Sequence, residues 1–279
     1  LVSLLFLFLA APCFSKPLPD TIVVTTPEIR YIVKALIPEA KVFSLTNGSQ
    51  NPHHIDIKPS QIVLAQKAKL IVAIGLGYEE WLEKLNRAKR PVFSLGPLMS
   101  PEKGDLAFDP AHPNGNPHLF LDPVRVAEVS MPLAERLSEL FPKQAEEIKA
   151  RALAFQKSLL AKHLVWQKKL MGLKGVRVAT YHSTFYYFLK RYGIENKAVL
   201  ENHPGQPPSP ERLSQFLRTI EQENVKFFLV EKAQATKNPL SLSQRARATM
   251  VTLPSALESE PDTLESLIEA IVQGLLKAG

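Results

Sequence analysis

Segment 142–172, "PKQAEEIKARALAFQKSLLAKHLVWQKKLMG", constrains the fold more than any other stretch, because between Pro142 and Gly172 it contains neither proline nor glycine. Pro142 suits the first position of a helix and Gly172 the position just past its end. Ile148, Ala152, Phe155, Leu159, Trp166 and Leu170 recur at three-, four- and seven-residue spacings, which lays one apolar face along the whole length. About 30 residues at 1.5 Å rise make a rod of roughly 45 Å. Such a helix is a rigid strut between two bodies, where a Gly/Ser-rich linker would let them swing. His163, on or near the apolar stripe, reads as a structural histidine.

The same alternation appears on both sides of the strut. Ahead of it, "TIVVTT", "KVFSLT", "KLIVAIG" and "PVFSL" read as short buried strands, with "PEIRYIVKAL", "KPSQIVLAQKA" and "YEEWLEKLNRA" as the helices between them. Behind it, "VRVATY", "KAVLEN", "VKFFLVE" and "TMVTLP" alternate with further helical patterns, the last being "DTLESLIEAIVQGLLKAG". Strands alternating with amphipathic helices imply βαβ units and parallel sheets covered on both faces. The expected class is α/β: two similar lobes, each with a parallel sheet flanked by helices, joined by one long rigid linker helix. The boundaries expected are 20–141 for the N-terminal lobe, 142–172 for the linker and 173–279 for the C-terminal lobe.

Residues 1–15, "LVSLLFLFLAAPCFS", are uncharged, apolar and end in small residues. They are too few to span a bilayer but fit the core and cleavage region of a secretory signal truncated at its start, so the expectation is a periplasmic, exported protein. Cys13, the only cysteine, falls inside this segment and leaves the mature chain without a thiol, a disulfide or a Cys-based metal site. Pro12 directly before Cys13 argues against lipid anchoring there. The net charge of +7 is spread over helices in which Lys and Arg mix with Glu, as in "AEEIKARALAFQKS", with no basic block and no basic–aromatic motif. That describes a solvated surface without a nucleic-acid partner, and a monomer is expected.

Of seven histidines, three stand in marked settings. His118 lies in "NGNPHLFLDP", between Pro117 and an Asp122-Pro123 pair with the form of a helix cap followed by proline at the first helical position. His53 repeats the Asn-Pro-His triplet, and His182 opens "HSTFYYFLKRYG" directly after a strand. Loops at the carboxyl ends of parallel strands line the ligand crevice, so two histidines from one lobe and one from the other would meet between the lobes. Neutral imidazole is the commonest metal ligand, and three imidazoles without thiolate suit zinc best, with manganese and iron behind.

The motifs "NPHHIDIKPS", "NPHLFLDP", "TYHSTFYYFLKRYGI", "PGQPPSPERLSQFL" and "VKFFLVEKAQATK", in this order, resemble those of the metal-binding solute-binding proteins of bacterial ABC importers, the zinc-uptake type, which capture zinc or manganese in the periplasm. The resemblance implies a single metal held between two lobes as transported substrate, delivery to a membrane permease, and no catalysis. Carried over by position, the ligands are His53, where the family has Asp-Pro-His in place of Asn51-Pro52-His53, then His118 and His182. His54 competes with His53, because adjacent side chains in an extended segment point to opposite faces. At the fourth position the chain departs from the pattern: "VTLPSALESEP" offers Pro254 and Ser255 where many relatives have a polar or carboxylate group. Glu231 is the best remaining carboxylate, Glu201 is next, and a water would also complete a tetrahedron. The long His- and acid-rich loop of some relatives is absent, and His112, its only remnant, is expected to contribute little. Two other classes share this donor set, a zinc hydrolase and a metal-dependent surface adhesin. Against the hydrolase, the chain has no His-Glu-x-x-His helix, and Asp56 is the only acid close after His53.

Overall fold

Four-residue apolar runs with turn chemistry between them give the first lobe its strands, β1 (Thr21–Val24), β2 (Lys41–Ser44), β3 (Leu70–Ala73) and the three-residue β4 (Val92–Ser94). All pair in parallel, in the order β2-β1-β3-β4. Alternate side chains go to opposite faces: Ile22 and Val24 enter one apolar cluster and Val23 the other. Helices α1 (Pro27–Leu36), α2 (Pro59–Lys67) and α3 (Trp81–Leu85) connect the strands. The computed structural model describes residues 21–48, 50, 53–99, 112, 115–201, 205–235, 237–258 and 262–279. The signal-like segment 1–15, its Cys13, and the Asn51-Pro52 pair lie outside the described residues.

Between the lobes run α4 (Pro123–Leu140) and α5 (Ala145–Lys169), the latter flanked by 3-10 turns at Pro142–Gln144 and Leu170–Leu173. The strut is thus helical from 142 to 173, but its α-helical part is 25 residues, about 37 Å at 1.5 Å per residue. It does not stand alone, since α5 packs along α4 and also touches α1 and α9 (Leu264–Ala278). All six residues of the apolar stripe read from the sequence are buried there.

The second lobe repeats the first. Strands β5 (Arg177–Thr180), β6 (Glu195–Val199), β7 (Phe227–Glu231) and β8 (Thr249–Leu253) pair in parallel in the order β6-β5-β7-β8, with α6 (Tyr186–Arg191), α7 (Pro210–Gln222) and α8 (Lys237–Ala246) between them. One apolar cluster runs without a break from Ile22 through α4 and α5 to Leu275. Polar contacts cross it at the rim: Arg191 donates to Asp122 Oδ1 and Oδ2 at 2.9 and 2.8 Å, and the Leu257 N–H donates to the buried Glu28 carboxylate at 2.7 Å. Gly48 lies so close to that second contact that a Cβ there would sit 2.0 Å from the Leu257 carbonyl oxygen. The lobes therefore share a core and are bonded together at their edges.

Candidate metal centre

Each sheet places its functional side chains at the carboxyl ends of its strands. His182 follows β5, Glu201 follows β6 and Glu231 ends β7. Their register is fixed by ladder bonds that continue past the strands, Tyr181 N–H to Leu229 O at 2.9 Å and Glu201 N–H to Tyr181 O at 2.8 Å. From the first lobe, His53 comes from the loop after β2, and His118 stands just before a 3-10 turn at Leu119–Leu121 that leads into α4. Asp122 caps α4 by accepting the Val124 N–H at 3.0 Å, with Pro123 at the first helical position, as the sequence reading expects.

His53, His118 and His182 meet, and a fourth histidine joins them. His112, given little weight from the sequence, sits in the same cluster. The six separations between the four ring centroids all lie between 5.1 and 5.7 Å. Points so spaced are the corners of a near-regular tetrahedron whose centre is about 3.3 Å from every ring; an ion bonded to an imidazole nitrogen at ~2.1 Å lies about that far from the ring's centroid. One ring nitrogen from each of His53, His112 and His182 lies within 4.8 Å of the others, a donor group that does not include a nitrogen of His118. His54 is exposed and His163 is remote, its Nδ1 3.3 Å from the Tyr192 hydroxyl.

A second layer orients the rings. His118 Nδ1 is 2.9 Å from Asn116 Oδ1, His112 Nδ1 is 3.2 Å from Ser183 Oγ, and His182 Nδ1 is 3.1 Å from Glu201 Oε2. In each case the engaged nitrogen leaves Nε2 as the donor for an ion, the usual arrangement behind metal-bound histidines. Asn116 also ties the two lobes, its side-chain amide donating to Ser183 O at 3.0 Å and its backbone carbonyl accepting from the Tyr187 hydroxyl at 3.0 Å. Tyr78 packs edge-on against His53 and His118, with centroids at 4.6 and 5.4 Å.

The electrostatics suit a cation in place of protons. Burial, followed by the neighbouring imidazoles of His182 and His112, holds His53 down at about 2; the same causes push His118 well below the ordinary histidine value. Both rings are neutral and ready to donate a lone pair. Glu231 is buried beside them, with no well-formed hydrogen bond to either carboxylate oxygen; burial raises its carboxyl, and His182 only partly offsets this. It lines a cavity of about 240 Å³ together with His53, His118, His182, Glu201 and Ser255. Glu231 thus lies beside the ring cluster, in the same cavity.

His112 had a legible signal: "HPNG" at 112–115 is a turn sequence, and the Gly115 N–H does bond to the His112 carbonyl at 3.1 Å, with Gly115 at φ +107°. A turn there folds His112 back towards His118. Asn116 and Tyr78 carried no comparable signal, since their roles depend on contacts across the chain.

Two parallel α/β lobes closed over one cluster of buried imidazoles define a metal-binding protein of the two-lobed solute-binding class. A family model described as zinc-uptake complex component A, periplasmic (ZnuA) matches residues 22–278, and the chain belongs to that family. It is 30% identical over 282 residues to a Thermotoga maritima protein provisionally named metal-binding, with 99% of each chain covered. It is 24% identical over 293 residues to the zinc-binding lipoprotein AdcA of Streptococcus pneumoniae, covering 99% of this chain but 58% of that one, so it spans little more than half of that relative. Similar folds are found in a crystal structure of ZnuA (24% identity, TM-score 0.79, 92% of this chain and 98% of that one) and in the solute-binding protein FpvC of Pseudomonas aeruginosa in complex with Mn2+ (21% identity, TM-score 0.83, 94% and 98%).

Proposed function

We propose that this chain captures one zinc ion outside the cytoplasm and delivers it to the permease of an ABC importer, with His53, His112, His118 and His182 as ligands. The observation that carries this reading is the tetrahedral spacing of the four rings. Four nitrogen donors at tetrahedral corners match zinc, whereas manganese prefers oxygen donors and a higher coordination number. Glu201 steadies His182, and Glu231 offsets the charge of the ion from the second layer. The zinc-binding name of the AdcA relative supports the same metal. No helix among the described residues is long and apolar enough to cross a membrane, and residues 1–15 serve as the export signal.

A hydrolase needs an open coordination position for water. Four imidazole ligands would fill the tetrahedron, which favours a carrier over an enzyme. The decisive measurement is the metal content of protein purified without chelator, followed by calorimetric competition. One zinc per chain is expected, and manganese displacing zinc at equal concentration would move the protein to manganese capture. Zinc-limited growth of cells lacking the gene, restored by wild type and not by His182→Ala, tests delivery.

A further inference from the structure

The charge is less evenly spread than the mixture of Lys and Arg with Glu in "AEEIKARALAFQKS" suggests, because that mixture ends at Glu147. From Ile148 to Ile194 there are ten Lys and Arg and no Asp or Glu, so the positive excess of a chain with net charge +7 resides in this one stretch. More than half of those cations are on α5. Opposite its buried stripe, α5 carries a second apolar line: Leu153, Leu160, Leu164 and, in the turn that follows, Met171. Their spacings of seven, four and seven residues keep them within about 40° of arc at ~100° per residue. They are 37–66% exposed, and with Val165 they make up five of the eleven exposed large apolar side chains among the described residues. Lys157 and Lys168, both exposed, border the line. Lys149, Arg151 and Lys169 are paired with Glu146, with Glu39 and Glu147, and with Glu269, whereas Lys157, Lys162 and Lys168 form no ion pair among the described residues.

We infer that the outer face of α5 is a contact surface for an anionic phospholipid membrane, on which the helix lies flat with its leucines in the headgroup boundary and its lysines among the phosphates. A helix that presents an apolar line bordered by lysine has the composition of an interfacial helix, and lysine stems reach past apolar side chains to place their charge at the lipid surface. A second copy of the chain fits less well, because two such faces would set lysine against lysine, and the acids of α5, Glu146 and Glu147, lie in its first turn and already pair with Lys149 and Arg151. A protein partner fits less well too, since protein interfaces favour aromatic residues, Met and Arg and avoid Lys, and Met171 is the one member of the exposed line from the favoured set. The inference is independent of the zinc reading, as no metal ligand lies on α5.

Flotation of the full, metal-loaded protein with vesicles tests it. Binding is expected to vesicles containing phosphatidylglycerol and not to pure phosphatidylcholine, and it should weaken as salt is raised. Two double variants, L160D/L164D and K157E/K168E, should each lower the partition at least about tenfold, with zinc affinity and melting temperature unchanged. Absence of binding to the anionic vesicles at low salt, or equal binding by wild type and both variants, would overturn the inference. Sedimentation showing a wild-type dimer that L164D dissociates would do so as well, by giving the line to a second copy.

Discussion

At the scale of single residues, the four rings are not equivalent. His118 and His182 are held by Asn116 and Glu201 and are buried, so each is a preset donor. Replacing either by Ala should weaken zinc binding well over tenfold in calorimetry. His112→Ala should also weaken it, and because the vacated corner then accepts water or the nearby Glu231 carboxylate, selectivity for zinc over manganese should fall more than zinc affinity itself. His54→Ala and His163→Ala should leave binding intact, since neither ring belongs to the cluster. Glu201→Gln keeps the shape but loses the charge behind His182, and a loss of roughly tenfold in zinc affinity is expected. Unchanged selectivity in His112→Ala would return the fourth corner to Glu231 or water.

At the scale of elements, the contacts between lobes are specific enough to test singly. Asp122 both caps α4 and accepts two bonds from Arg191. Asp122→Ala removes the cap and strands the guanidinium, and chemical denaturation should register a loss of roughly 2–3 kcal/mol. Gly48→Ala would drive a Cβ into the Leu257 carbonyl, where only backbone can yield; a loss of about 1–3 kcal/mol is expected, read as a fall in melting temperature. Most strands and helices were legible because their signals are local: Pro27, Pro59, Pro123 and Pro210 each open a helix in the structure. The pairing of α5 with α4 was not, since it is written in no single stretch and Pro132 interrupts the helical pattern of α4. Likewise, His53, His118 and His182 announced themselves through flanking strands and prolines. His112 had only the turn sequence after it as a signal and no strand of its own to mark its place.

At the scale of the whole molecule, the buried histidines make stability depend on pH. In the metal-free folded chain His53 is held down at about 2 and His118 well below its ordinary value, whereas in the unfolded chain both take up protons below about 6.5. The unfolded state then binds more protons, so this contribution is fully present above about pH 6.5 and is lost as pH falls towards the folded values, at up to about 1.4 kcal/mol per pH unit for each group. Burial raises Glu28, Glu79 and Glu231, which act in the opposite sense at acid pH. The histidine part is therefore read as the difference in acid denaturation between wild type and His53→Asn, and the variant should show the shallower loss. Zinc affinity of the folded protein should hold to lower pH than the 6.5 expected of exposed histidines, because the folded rings resist protonation.

The shared core and the Arg191–Asp122 and Leu257–Glu28 bonds hold the lobes together without using any of the four clustered histidines. Small-angle scattering of metal-free and loaded protein should therefore nearly superimpose, and a large fall in radius of gyration on loading would contradict that rigidity. For a carrier, such sameness has a kinetic cost. A permease that recognises the outline of the molecule would accept the unladen form almost as readily as the laden one, so the unladen protein would act as a competitive inhibitor of its own transport system, and uptake should peak and then decline as the carrier is overproduced relative to available zinc.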